Sequence, residues 1–420
     1  MIKVRSVKAY IAVSFIVPFF FWVIFFPGFY SGDSIGVLNM VQNGELGSGH
    51  TAPYALYVEF FTISGRFPGI VTLLNLLLLN LSISLFILQL NVSLKTKFIT
   101  IVIASALPTV WTMGITFWHD IPFSAGFIFL LVSIAGKINR KSWVFISGFS
   151  GILISFRPNW IPLVLLSFVV LMIFKRTRTP DCFKPLIVSV LFASLCFFGG
   201  AKLINKPPIV KDLAQQWITS DLSCYAWTEP EKFQEKFSSR IGLVEKWSSR
   251  SACTFINDSP YLDIENETRF EDSNQAWFQL LIFDPIFLLR THFERNSYLV
   301  PLPFFGVPKP PFLHTDIEFE GMGVQWSFPE LANEMRNLPR AWNYLRGIFA
   351  YAGFWFLILF LLAYKEGALF GRVLLVLCTS LVISIFVFAP IPDARYALPV
   401  LILGQVFSVL KLVERIVSKA

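Results

Sequence analysis

The chain is 420 residues long, 55% hydrophobic and only 15% charged, with 46 phenylalanines and a mean hydropathy of +0.63. A soluble domain of this size would carry about 25% charged residues, so the composition excludes an ordinary water-soluble enzyme. The net charge of +8 does not imply a nucleic-acid partner, because the basic residues lie between long apolar runs, as in a polytopic membrane protein.

The basic N-terminus MIKVRSVK leads into Ala9 to Phe26, a run too long for a signal-peptide core and without a small-residue cleavage site. It reads as an uncleaved first span. Further spans are expected near 68–90, 98–116, 121–136, 143–156, 161–174, 185–204, 347–364, 373–389 and 396–412, which with 9–29 gives ten. One set of connections holds 17 Lys+Arg, from Lys3 to Lys419, against the three acids Asp181, Glu366 and Glu414. The positive-inside rule then places both termini in the cytoplasm.

Tyr30 to Thr51 (YSGDSIGVLNMVQNGELGSGHT) follows the first span. It holds Asp33, a short amphipathic stretch with Ile35, Leu38 and Val41 toward the membrane, and a Gly-rich turn ending in His50. Asp33 is read in two ways: as a catalytic base, or as an N-cap satisfying free N–H groups. Trp118-His119-Asp120-Ile121-Pro122 links spans three and four. Asp120 is a second surface carboxylate, either a cap before span four or a contact for acceptor hydroxyls or a metal. His119-Asp120 alone is not a metal signature, and a divalent cation would need ligands such as Asp33 or His50.

Residues 143–174 are too long for one helix and too short for two full spans, which indicates a short hairpin with Arg157-Pro158-Asn159-Trp160 at its tip. Below the outer surface, Arg157 would cost several kcal/mol unless paired. The alternative is snorkelling to the interface. Residues 205–345 form one large outer segment, with 13 Lys+Arg and 19 acids. Within it, WFQLLIFDPIFLLRTHFERNSY reads as an interfacial helix pair with Pro285 at a helix start. Cys224 and Cys253 are the cysteines of that segment and form a disulfide candidate. At the outer start of the last span, Arg395 reads either as a phosphate ligand or as an anchor paired with Asp393, and Tyr396 as an aromatic-belt residue. The expected domains are therefore 1–204 with spans one to seven and the first outer loop (30–67), 205–345 outside, and 346–420 with spans eight to ten.

Apart from the large segment, the candidate polar residues Asp33, Glu45, His50, His119, Asp120, Arg157, Asp393 and Arg395 fall on one face. That face is external, where nucleotide sugars and ATP are absent, so a donor already carried in the membrane fits. A phosphate leaving group needs cationic stabilisation, which arginine supplies bidentately. An acceptor hydroxyl needs a base, for which one carboxylate suffices.

Together the external Asp-bearing loop with two interfacial helices (about 34–43 and 53–64), the second acidic loop WHDIPF, the segment FDPIFLLRTHFERN and the outer RYALP resemble the GT-C class of polytopic glycosyltransferases. The layout is similar to phage-encoded serotype-converting O-antigen glucosyltransferases. The resemblance implies an all-α polytopic fold with a large extracytoplasmic loop, in the bacterial inner membrane. It implies a polyprenyl-phosphate sugar donor, a lipid-linked glycan acceptor such as O-antigen, and Asp33 as the catalytic residue. Arg157 and Arg395 are then the candidates for the donor phosphate. Asp120, His119, His50, Glu45 and Tyr396 are the other candidate substrate contacts. No resident cofactor is assigned, and a divalent cation stays open as an alternative. Two other readings stay open: an O-antigen polymerase or ligase, and a lipid or solute transporter, for which midplane charges and internal symmetry would be expected.

Overall fold

The computed structural model describes residues 4–46, 50–135, 140–173, 180–204, 210–242, 270–296, 299, 327–335, 351–366, 369–389 and 394–419. The chain is all-helical, with no strand among the described residues. Four helices are long and apolar enough to cross a membrane: Pro68–Gln89, Phe183–Leu203, Phe370–Phe388 and Arg395–Lys419. Leu94–Ser105 and Pro108–Gly114 make a fifth if the pair, bent by 57°, counts as one span. The bend follows from Pro108, which cannot donate into the preceding turn and starts a new helix instead.

The other five expected spans are also apolar helices, but short: Ala9–Ile24, Asp120–Ile134, Ser142–Ile154, Trp160–Ile173 and Ala352–Tyr364. Each falls short of the roughly 20 residues that cross a bilayer core perpendicularly. Residues 143–174 do break into two helices, α9 (Arg140–Ile154) and α10 (Trp160–Ile173), around a turn that carries Arg157.

Small residues set the closest helix approaches. A Cβ on Gly151 of α9 would lie 2.2 Å from the Ser189 carbonyl of α11 (Pro180–Leu203), and one on Gly126 of α8 (Asp120–Ala135) would lie 2.7 Å from Leu153. Ser150 Oγ donates to the Gly126 carbonyl at 2.7 Å. This is how helices pack where no water drives them together: small side chains let backbones approach, and hydroxyls bridge them.

Two interfacial helices were expected in the first loop, and two helices are found there, α3 (Gly32–Gln42) and α4 (Ala52–Thr62). In the large segment α12 (Val210–Thr228), α13 (Pro230–Ile241), α14 (Phe270–Phe283) and α15 (Pro285–Arg295) share a core of their own, built on Leu222, Tyr225, Phe233, Phe237, Leu280 and Leu288. The α14–α15 break falls where expected: Asp284 caps α15 by accepting from Phe287 N at 3.0 Å, with Pro285 in the first turn. Phe278, Ile282, Ile286, Leu289 and Phe293 remain exposed on this pair. Cys224 is disulfide-bonded, whereas Cys253 lies outside the described residues.

Candidate functional site

Five segments meet where helices begin and end: the start of α3, the start of α4, the turn before α8, the α9–α10 turn, and the 3-10 turn Ala394–Ala397 ahead of the helix Leu398–Lys419. The first contact is made by the backbone. Phe29 pairs in parallel with Thr116, with Phe29 N donating to Ile115 O at 3.0 Å and Phe117 N to Phe29 O at 2.8 Å. Gly28 permits it: its φ is +119°, and a Cβ there would lie 2.5 Å from Ile115 O. Ser34 Oγ then donates to Phe117 O at 2.8 Å, and Trp118 Nε1 to Ser31 Oγ at 2.6 Å. Thr51 Oγ1 joins the hairpin tip to α4 by donating to Phe156 O at 2.7 Å.

On this frame sit two carboxylate–guanidinium pairs. Asp33 pairs with Arg395, 362 residues away, and Asp120 pairs with Arg157. The pairs share Tyr396: the Arg157 guanidinium lies 4.3 Å from its ring centroid and that of Arg395 5.8 Å. Arg395 also lies 5.3 Å from the Trp118 ring. Cation–π contacts of this kind hold a guanidinium in place while leaving its N–H edge for an anion.

The two pairs differ in exposure. The Asp33 side chain is 47% exposed against 7% for Arg395, whereas Asp120 is 1% exposed and Arg157 8%. Asp33 is not the cap of α3. That position is Ser31, whose backbone N–H is answered by Ser34 Oγ at 3.1 Å. The N-cap explanation for Asp33 therefore does not hold, since a serine pair already does that work.

His119 and His50 form an aromatic wall beside the pairs. Their rings are 5.7 Å apart, and Tyr54 lies 5.3 Å from His119 and 5.9 Å from His50. Burial pushes the His119 imidazole well below its usual range, and Arg157 and Arg395 add to this. Burial also lowers His50; Asp33 opposes it and the two arginines reinforce it. Both rings are therefore held toward the neutral form, suited to hydrogen bonding rather than to binding phosphate as cations.

Several expectations need correction. Asp120 is not a surface carboxylate open to an acceptor; it is buried against Arg157, which neutralises it inside the protein. Arg157 does not snorkel, since it is buried and paired. Tyr396 is no belt residue at a lipid surface but a buried ring between two guanidiniums. Arg395 meets Asp33, while its expected partner Asp393 lies outside the described residues. Glu45 is exposed in the turn after α3, and no contact described for the cluster includes it. Among the described residues no three His, Cys, Asp or Glu side chains converge as a metal site.

Sequence reasoning missed Trp118, Tyr54 and a second polar centre. In the latter, Asp221 of α12 accepts from Arg295 NH2 at 2.7 Å and Trp277 Nε1 at 2.8 Å, and lies 2.9 Å from His292 Nε2. Burial works against its charge, but Arg295 and His292 outweigh burial and hold the carboxyl below its ordinary range. His292 Nδ1 and Asn296 Nδ2 reach the carbonyl of Phe386, at 3.0 and 3.2 Å, and so tie this centre to the end of the helix Leu369–Phe388. A lone acid in the apolar run WITSDLSCYAW, matched by a His and an Arg three residues apart, was the available signal.

Comparison with known families, curated proteins and solved structures found no match to this chain.

Proposed function

We propose that this protein is an inverting membrane glycosyltransferase that moves a hexose, glucose by the resemblance above, from a polyprenyl-phosphate donor to a lipid-linked glycan such as O-antigen. The observation that carries the reading is the Asp33–Arg395 contact: an exposed carboxylate and a fixed guanidinium, brought together from opposite ends of the chain. A base and an anion-stabilising cation side by side are what an acceptor hydroxyl and a phosphate leaving group require.

The reaction is a single displacement. Asp33 takes the proton of the acceptor hydroxyl, whose oxygen attacks the anomeric carbon. The bond from that carbon to the phosphate oxygen breaks, and its electron pair leaves with the polyprenyl phosphate at Arg395. The neutral His119 and His50, with Tyr54, line the sugar side. Arg157 serves through Tyr396 and Asp120, which fix the α9–α10 turn.

In this reading all ten apolar helical segments span or dip into the bacterial inner membrane. Both termini are cytoplasmic, because the basic connections lie on one side, and the cluster faces the periplasm. The shorter helices suit a locally thinned bilayer around the site. The α14–α15 pair lies on membrane lipid through its exposed Phe278, Ile282, Ile286, Leu289 and Phe293. The large segment 205–345 binds the acceptor.

The test is reconstitution in proteoliposomes with polyprenyl-phosphate glucose and a lipid-linked O-antigen repeat. Transfer of one hexose per repeat is expected. Solute uptake or glycan polymerisation without hexose transfer would replace this reading with the transporter or the polymerase.

A further inference from the structure

The two arginines are not equivalent, and the difference says which one the donor takes and what happens when it does. We propose that the donor phosphate displaces Asp33 from Arg395, so that donor binding itself releases the base. The inference rests on the transferase reading and assigns the phosphate to Arg395 rather than to Arg157.

Four observations carry it. Arg395 is the fixed half of its pair: it is buried, lies over Trp118 and Tyr396, and Trp118 is itself tied to Ser31. Asp33 is the exposed half, at 47%. Moving its carboxylate costs α3 no cap, because Ser31 and Ser34 close the helix start. Arg157 is also buried and lies over Tyr396, but the acid it meets is not exposed. Drawing Arg157 onto an incoming anion would take the guanidinium away from Asp120, which is 1% exposed, a cost of several kcal/mol.

Charge balances in the exchange. A sugar phosphodiester carries one negative charge, as does the carboxylate it replaces, so Arg395 stays neutralised throughout. The released carboxylate is then no longer shared with Arg395 when the acceptor arrives. After transfer Asp33 holds the acceptor's proton and cannot compete for Arg395 while the polyprenyl phosphate remains. Loss of that proton to water restores the competition and favours product release. The order of binding follows: donor first, acceptor second.

The exchange gives Asp33 an effect on binding opposite in sign to that of an ordinary contact. The full chain in phosphatidylcholine nanodiscs is titrated with a short-chain polyprenyl phosphate, and in parallel with inorganic phosphate to separate the head group from the tail. Asp33→Asn is expected to bind the lipid phosphate roughly twofold to fivefold more tightly than the wild type, the range of a partly exposed ion pair. Arg395→Gln should bind it at least about tenfold more weakly, and in that background Asp33→Asn should add nothing. Both phosphates should follow the same order, with the lipid binding more tightly. Asp33→Ala is a second way to remove the competitor. Equal or weaker binding by both Asp33 variants, with wild-type binding intact, overturns the exchange and leaves the transferase reading standing. A wild type that binds neither phosphate overturns that reading and the exchange with it.

Discussion

The carboxylates at positions 33 and 221 each meet an arginine, and their surroundings differ in almost every other respect. Asp221 is fully buried; Arg295, Trp277 and His292 crowd it, and through His292 and Asn296 the centre is fastened to Phe386. Asp33 meets Arg395 with about half of its side chain still exposed. A buried acid whose lone pairs are taken up has nothing left to offer a substrate and serves to hold helices together. An exposed acid beside a fixed cation can change partners. Asp120 lies between the two cases: it has one guanidinium, as Asp33 does, but is buried like Asp221. The comparison teaches that carboxylate–arginine pairing does not mark a site; exposure of one partner does.

Substitutions should separate the two regions cleanly. Asp33→Asn should lower transfer by about 10²- to 10⁴-fold, the usual worth of a positioned base, while thermal stability falls by no more than about 1 kcal/mol, since the pair is half exposed and the amide oxygen still accepts from Arg395. Asp221→Ala should do the reverse. It strands Arg295 and His292 in a buried setting, so a loss of about 3–5 kcal/mol in stability is expected, read as a lowered melting midpoint of the purified protein. Turnover per folded molecule should hold within a few-fold. Equal damage to both quantities in both variants would erase the distinction.

Smaller effects sharpen it. Arg157→Ala removes the guanidinium that meets buried Asp120, and the melting midpoint should drop; the double variant Asp120→Asn/Arg157→Ala should recover part of the loss, since the buried negative charge is removed with its counter-charge. The histidine wall gives a pH dependence. A lowered imidazole pKa means that the unfolded chain binds more protons, so stability is complete above the unfolded value of ~6.5 and declines as pH falls below it. His119→Gln should flatten that decline in a melting-midpoint series from pH 7.5 to 5. Smallest of all, Glu45→Gln, in the exposed turn, should leave the transfer rate within about twofold.

Much of this was legible in the sequence, for reasons specific to membrane chains. Each expected apolar run is helical because a backbone in lipid must satisfy its own hydrogen bonds. Asp33, Asp120, Arg157 and Arg395 were found because charges are rare near the bilayer and so stand out. Their pairing was not legible. Local spacing suggested Asp393 for Arg395, but the Phe29–Thr116 bridge delivers Asp33 from the far end of the chain. Tyr396 looked like an interface anchor because its role depends on which guanidinium lies across from it, and that is a tertiary fact. Asp221 was passed over because the polar segment around it holds many acids, and only packing of α12 against α14 and α15 distinguishes this one. Helix lengths escaped for a simpler reason: hydropathy shows where apolar residues run, not where a break such as that between Ser105 and Pro108 interrupts the ladder.

The most direct measurement is the mass of the surface glycan in cells lacking the gene and in cells expressing either the wild type or Asp33→Asn at matched membrane levels. A wild-type gain of one hexose per repeat is predicted, with the Asp33→Asn glycan indistinguishable from that of cells without the gene. The same gain with Asp33→Asn as with the wild type would contradict Asp33 as the base and with it the central claim.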